Sequence, residues 1–291
     1  MADVGLLPFT KGHGTENDFV LVPDLDGALD LTPALVRRLA DRRAGIGGDG
    51  VIRVVRSEHA AEPEVRAQAA EAPWFMDYRN ADGSLAQMCG NGTRVFAAYL
   101  VREGLVPPGD FAIATRSGPK LVHPTENGYA VDLGPWHVPD PTQAREHGFT
   151  AVVHVAGQPE LPGLRVEVGN PHVVVVLPPQ IDLAGLDLSR APRVVPEPQG
   201  GVNVELVRAL GPGHVAMRVS ERGVGETRSC GTGAVAAVVA LRWWEGPSPG
   251  NRDWIVDVPG GRLRVTVTPG DTLVLSGPAV LVADGSALAG A

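Results

Sequence analysis

The sequence predicts an α+β fold of two pseudo-symmetric domains, each a mostly antiparallel, curled sheet around one central buried helix, with a site expected in the interdomain cleft. Three observations lead there: an internal repeat, period-two apolar stretches between turn residues, and two apolar helical segments at equivalent places in the repeat. At 291 residues, about two domains is also the natural expectation from length.

The repeat comes first in the argument. MCGNGTRVFAAYL from Met88 and SCGTGAVAAVVAL from Ser229 share Cys, Gly, Gly and Leu in register, a shift of 141 from Cys89 to Cys230. Downstream, GPKLVHPTENGYAVDLGP from Gly118 aligns with GGRLRVTVTPGDTLVLSGP from Gly260, with Gly134-Pro135 answering to Gly277-Pro278 at a shift of 143. Upstream, Asn17 of NDFVLV answers to Asn170 of NPHVVVV at a shift of 153. Most of the drift falls between Asn17 and Cys89, which marks SEHAAEPEVRAQAAEAP, residues 57–73, as an insertion in the first half. Its Ala and Glu content suggests a short exposed helix, a solvated excursion that tolerates deletion. The halves are then 1–135 and 136–278.

Within each half, Leu263, Val265 and Val267, then Leu273 and Leu275, alternate around Pro269-Gly270-Asp271 and read as a hairpin. The segments from about Asn91 to Glu103 and from Thr232 to Trp244 are apolar nearly all round, as befits helices enclosed by other structure.

Composition narrows the function. Hydrophobic residues at 44% and charged residues at 20% suit a soluble globular chain, and the net charge of -8 has no basic block, which argues against a nucleic-acid partner. MADVGLLPFT lacks the cationic and long apolar regions of a secretory signal. No apolar run approaches the roughly 18 residues of a spanning helix, so no membrane partner is expected and a cytoplasmic location is. The chain has two cysteines, which in a reducing compartment are catalytic, metal-binding or buried rather than a structural disulfide, and two thiols without a histidine cluster make a poor zinc site. Lys11 and Lys120 are the only lysines that could hold pyridoxal phosphate.

Each cysteine immediately precedes Gly-x-Gly and a helix, which puts both sulfurs at helix starts where unpaired backbone N–H groups favour anions and lower a thiol pKa. A lone cysteine beside an apolar helix is ordinarily an inert hydrophobe. Equivalent places in two halves point instead to thiols facing each other across a cleft. Such a pair suits inversion at carbon, in which one group removes a proton and the other delivers one to the opposite face. Helix starts would take up carbanion charge on a substrate carboxylate, so no cofactor and no metal are required.

With KGHGTENDF, GIGGDG, NADGS, MCGNG, GNPH, GVNV and ERGVGETRSCGTG in this order, nearly the whole chain resembles the diaminopimelate epimerase family. The resemblance implies interconversion of LL- and meso-diaminopimelate for lysine and peptidoglycan precursors, without cofactor, by a cytoplasmic homodimer. It makes Cys89 and Cys230 the acid/base pair and assigns the reacting carboxylate to the backbone at Gly90, Asn91, Gly231 and Thr232. It assigns the distal carboxylate and amine to Asn17, Asn80, Asn170, Asn203 and Arg222, the distal ammonium to Glu221, and a supporting place to His172. It also returns the tail, residues 279–291, to the first half as an added strand. Singly, these asparagines read as turn residues and Glu221-Arg222 as solvated surface. Two positions depart from the family pattern: Glu16 stands where glycine is frequent, and Gly50 where glutamine is frequent. The rival enzyme is a proline or hydroxyproline racemase of the same architecture, which usually carries histidine where this chain has Asn91. The rival of another class is a redox-responsive binding protein.

Overall fold

A computed structural model of the chain describes residues 5–246 and 252–288. The outermost residues of the expected first half, 1–4 and 289–291, lie outside the described set. The chain divides into two compact units, Met1–Val131 with Gly277–Ala291, and Asp132–Ser276. The architecture is α+β.

In the first unit a five-stranded sheet runs in the order β18-β1-β2-β3-β4, formed by Val280–Leu288 (β18), Leu6–Gly14 (β1), Asn17–Pro23 (β2), Gly50–Arg56 (β3) and Trp74–Asn80 (β4). The tail strand β18 lies antiparallel on β1, β1 antiparallel on β2, β2 parallel to β3, and β3 antiparallel to β4. The β1–β2 hairpin closes at Gly14 and Asn17 through Thr15 and Glu16, whose φ angles are +50 and +61. Positive φ at both central residues matches the right-handed strand twist. It also explains why glycine suits position 16, and Glu16 adopts the same loop at some backbone cost. Helix Pro33–Ala40 (α1) is capped by the Thr32 side chain and packs against β2 and β3. Helix Gly90–Arg102 (α3) is the enclosed element. Val95, Phe96, Ala97 and Leu100 are fully buried, and the helix packs on β1, β2, β3, β4 and β18. Short strands Phe111–Ile113 (β5), Lys120–Thr125 (β6) and Gly128–Asp132 (β7) complete the unit as an antiparallel meander.

The second unit repeats this plan. Leu161–Glu167 (β9) lies antiparallel to Pro171–Val176 (β10), β10 parallel to Asn203–Gly211 (β12), and β12 antiparallel to His214–Glu221 (β13). The β9-β10-β12-β13 order thus copies β1-β2-β3-β4, and Asn17 and Asn170 stand at the starts of equivalent strands. Strands Asp253–Val258 (β15), Gly261–Val267 (β16) and Leu273–Gly277 (β17) extend the sheet beyond β13, with β16 and β17 forming the hairpin expected around Pro269-Gly270-Asp271. Helix Gly231–Glu245 (α5) is enclosed by β9, β10, β12, β13 and β16, and every residue from Gly233 to Leu241 is buried.

Residues 57–73 differ from the solvated excursion that their composition suggests. A 3-10 turn (Ser57–His59) and a short helix (Pro63–Arg66, α2) occupy the segment. Ala60, Val65 and Ala72 form a core cluster with Val55, Phe75 and Ala114. Buried Ser57 donates to the Ala72 carbonyl, and Gln68 donates to the Thr115 carbonyl at 3.0 Å. Glu62 pairs with Arg116 at 2.8 Å, and Arg116 reaches the fully buried Asp77, which Arg53 also holds at 2.9 Å. Small residues hid the burial: two alanines, Ala60 and Ala72, and one valine, Val65, carry little periodic signal, yet each packs into the cluster beside β3 and β4.

Candidate active site at two helix starts

Both cysteines are N-caps. Cys89 precedes α3 with φ -141 and ψ 120, and its sulfur accepts from the Gly92 amide at 3.4 Å. Cys230 precedes α5 with φ -125 and ψ 117, and its sulfur accepts from Gly233 at the same 3.4 Å. A cap sulfur takes one of the orphan amides of the first turn, which is how Cys-Gly-x-Gly ends an extended segment and begins a helix. The leading amides at Gly90 and Asn91, and at Gly231 and Thr232, precede the first intrahelical bonds, made by Thr93 and Ala234 to the two cysteine carbonyls. Those positions are where a helix start meets an anion.

In the first unit the Cys89 thiol donates to Asn17 Oδ1 at 3.6 Å, and Asn91 Nδ2 donates to the same oxygen at 3.2 Å. Asn17 Nδ2 in turn donates to Asp49 Oδ2 at 2.6 Å. Arg94, one turn into α3, is fully buried, with its guanidinium 3.4–3.5 Å from the Pro278 and Gly90 carbonyls and the Thr15 hydroxyl. Burial pushes its pKa down to about 10, and the Cys89 charge acts in the other direction, so it stays a cation at neutral pH. Asn80 stands apart from this group: its side chain donates to Ser84 Oγ at 3.0 Å, within the turn that NADGS forms. Gly50 pairs with both Phe19 and Asn80 in the sheet. A Cβ there would lie 2.5 Å from the Tyr78 ring and from the Arg79 carbonyl, so Tyr78 fills the space that a longer residue would need.

In the second unit the polar set is denser and acidic. Fully buried His172 joins Glu205 Oε1 at 2.7 Å and Asn170 Oδ1 at 2.9 Å. Asn203 lies beside His172 in register, donates to the Pro171 carbonyl at 3.3 Å and accepts from the Arg222 amide at 2.9 Å. The Arg222 guanidinium is exposed and reaches the Gly200 carbonyl at 3.4 Å. Glu221 accepts from the Thr227 hydroxyl. The Thr232 hydroxyl lies 3.5 Å from the Cys230 sulfur. Glu205 reaches the helix start itself: a Cβ at Gly233 would meet its Oε1 at 2.6 Å, so only glycine fits under that carboxylate.

The helix start does not lower the Cys230 pKa, as its position alone suggests. Burial pushes the thiol well above the usual range, the Glu221 and Glu205 carboxylates push further, and the Thr232 hydroxyl and Gly233 amide only partly oppose them. Asp49, Arg94 and Glu205 were not singled out in the sequence. In NVEL, Glu205 alternates with Val204 and Leu206 as a solvent-facing acid would, whereas the strand is buried on both faces from Asn203 to Val207.

The family model described as diaminopimelate epimerase matches residues 9–138 and 164–282. Diaminopimelate epimerase of Streptomyces coelicolor is 52% identical over 96% of this chain and 94% of its own length. That of Thermobifida fusca is 48% identical over 95% and 96%. Among solved structures, a hydroxyproline epimerase from Agrobacterium vitis superposes with a TM-score of 0.64 at 13% identity, covering 97% of this chain and 92% of that one. A phenazine biosynthesis protein of the PhzF family from Bacillus anthracis gives 0.65 at 16%, covering 98% and 99%. At such identities the structures share the fold alone, whereas identity near one half across almost the full length is shared ancestry of the whole chain. The chain therefore belongs to the diaminopimelate epimerase family.

Proposed function

We propose that the protein interconverts LL- and meso-diaminopimelate by two-base proton transfer without a cofactor. The carrying observation is that its two cysteines cap the two enclosed helices at equivalent points of the repeat. In the reaction one sulfur, as thiolate, removes the α proton from one face of the substrate carbon. The other, as thiol, delivers a proton to the opposite face, and the reverse reaction exchanges the roles. Amides at Gly90, Asn91, Gly231 and Thr232 hold the carboxylate into which the carbanion charge spreads. Asn17, Asn80, Asn170, Asn203, Glu221 and Arg222 are read as recognising the far amino-acid head, with His172 in support. A free carboxylate and ammonium there need a donor fork and an acceptor, which Arg222 and Glu221 supply. Asn80 requires its bond to Ser84 to open for that role. The reading also makes the enzyme a cytoplasmic homodimer. Among the described residues no helix is long and apolar enough to cross a membrane.

The test is isotopic. In deuterated buffer, LL-diaminopimelate should acquire deuterium at the α carbon as the meso isomer forms, while proline and hydroxyproline exchange nothing. Deuterium entering proline but not diaminopimelate would overturn the assignment in favour of the racemase.

A further inference from the structure

We infer that Asp49 is a positioning residue that turns the Asn17 amide so that its carbonyl oxygen, not its NH2, meets the Cys89 sulfur. An asparagine amide presents an acceptor at one end and donors at the other, and its neighbours decide which way it lies. Asp49 Oδ2 sits 2.6 Å from one end of the Asn17 amide. A carboxylate accepts and never donates while ionised, so that end must be NH2. The carbonyl is left facing Cys89 at 3.6 Å and Asn91 Nδ2 at 3.2 Å. The reversed amide would set oxygen against oxygen at Asp49 and NH2 against NH2 at Asn91.

Asp49 is itself held. Its Oδ1 receives Arg42 Nη2 at 2.7 Å and its Oδ2 receives the Asp18 amide at 3.2 Å. Arg42 is shared with Asp18, and Asp18 also takes Lys11 at 2.6 Å. Burial would raise the Asp18 pKa, but these two cations hold it far below the usual carboxylate range. The second half has Val202 at the place of Asp49, by the shift of 153. There Asn170 is engaged by His172, whose other ring nitrogen meets Glu205.

The consequence concerns the proton. A carbonyl facing the sulfur accepts from the thiol and disfavours the thiolate, whereas an NH2 in its place would stabilise the thiolate. Among the described residues, Arg94 on the helix that Cys89 caps favours the thiolate, and the Asp49, Asp18, Arg42 and Lys11 cluster lies behind Asn17. Asp49 thereby delays ionisation of Cys89. The inference takes the acid/base role of Cys89 from the proposed function, but its test reads the thiol without substrate, so the two fail separately.

The full chain carrying Cys230→Ser has Cys89 as its one thiol, and its rate of alkylation by iodoacetamide is followed against pH. Asp49→Asn should lower the midpoint by about one pH unit, because an amide at 49 lets Asn17 turn over. Asp18→Asn removes an equal charge from the same cluster without touching Asn17 and should shift the midpoint by less than half as much. An unchanged midpoint in folded Asp49→Asn, or an equal shift in Asp18→Asn, would overturn the inference. Two measurements need no change at Asp49, should that variant not fold. The Cys89 S–H infrared band should lie below that of an alkyl thiol in an inert solvent, and an Asn17 side-chain amide proton should resonate downfield as a donor to carboxylate. An unshifted band or an ordinary amide proton would overturn it equally.

Discussion

Around Cys89 the buried charge is the Arg94 guanidinium, and the side chain under the first helical turn is Ile52, whose Cδ1 is 3.4 Å from where a Gly92 Cβ would stand. Around Cys230 the same two places, by the shifts of 141 and 153, hold Val235 and Glu205. One thiol thus has a cation and an aliphatic neighbour, the other an aliphatic and a carboxylate. The halves keep the same cap, the same 3.4 Å sulfur–amide bond and the same strand order, yet they set opposite fields at the two sulfurs. Cap geometry is a backbone property that duplication carries over, while charge depends on single side chains that diverge freely without disturbing the fold.

This comparison can be broken at three levels. The largest effect tests the likeness: Cys89→Ala and Cys230→Ala should each lower kcat by at least about 10³-fold, with circular dichroism unchanged. Wild-type-like turnover in either variant would remove the two-base reading. Next comes a difference between the halves, the segment 57–73 that only the first contains. Val65→Ala should lower the unfolding free energy by about 2 kcal/mol in a denaturant titration, against about zero for a solvated excursion. The smallest effect tests the opposite fields. In a Cys89→Ala chain, Glu205→Gln should bring the alkylation midpoint of Cys230 down by about one pH unit, because one of the carboxylates that push this thiol up is gone. In a Cys230→Ser chain, Arg94→Met should move the Cys89 midpoint up by a similar amount, since a cation that favours the thiolate is lost. Two shifts of the same sign would show that the thiols sit in like environments.

Much of this is legible in the sequence. The Cys-Gly-x-Gly repeat located both helix starts, and the observed helices begin at Gly90 and Gly231, directly after the cysteines. Alternation around Pro269-Gly270-Asp271 located the β16–β17 hairpin. Asn17 and Asn170 stand at the openings of equivalent strands, β2 and β10, as their alignment in the repeat predicts. The surroundings of the thiols were not legible, since Asp49, Arg94 and Glu205 come from a loop, a helix and a strand. Residues 57–73 misled because alanine serves surface and core alike, and only the cluster with Phe75 and Ala114 shows which it is here.

The sequence by itself determined the repeat, the two caps and the family, because each is written in local order: a glycine after a cysteine, an apolar run after that, and the same again 141 residues on. Only the tertiary structure decided which charges meet which sulfur. Hydrogen bonds and fields act over a few ångströms in space, and Asn17 lies 72 residues from the thiol it touches.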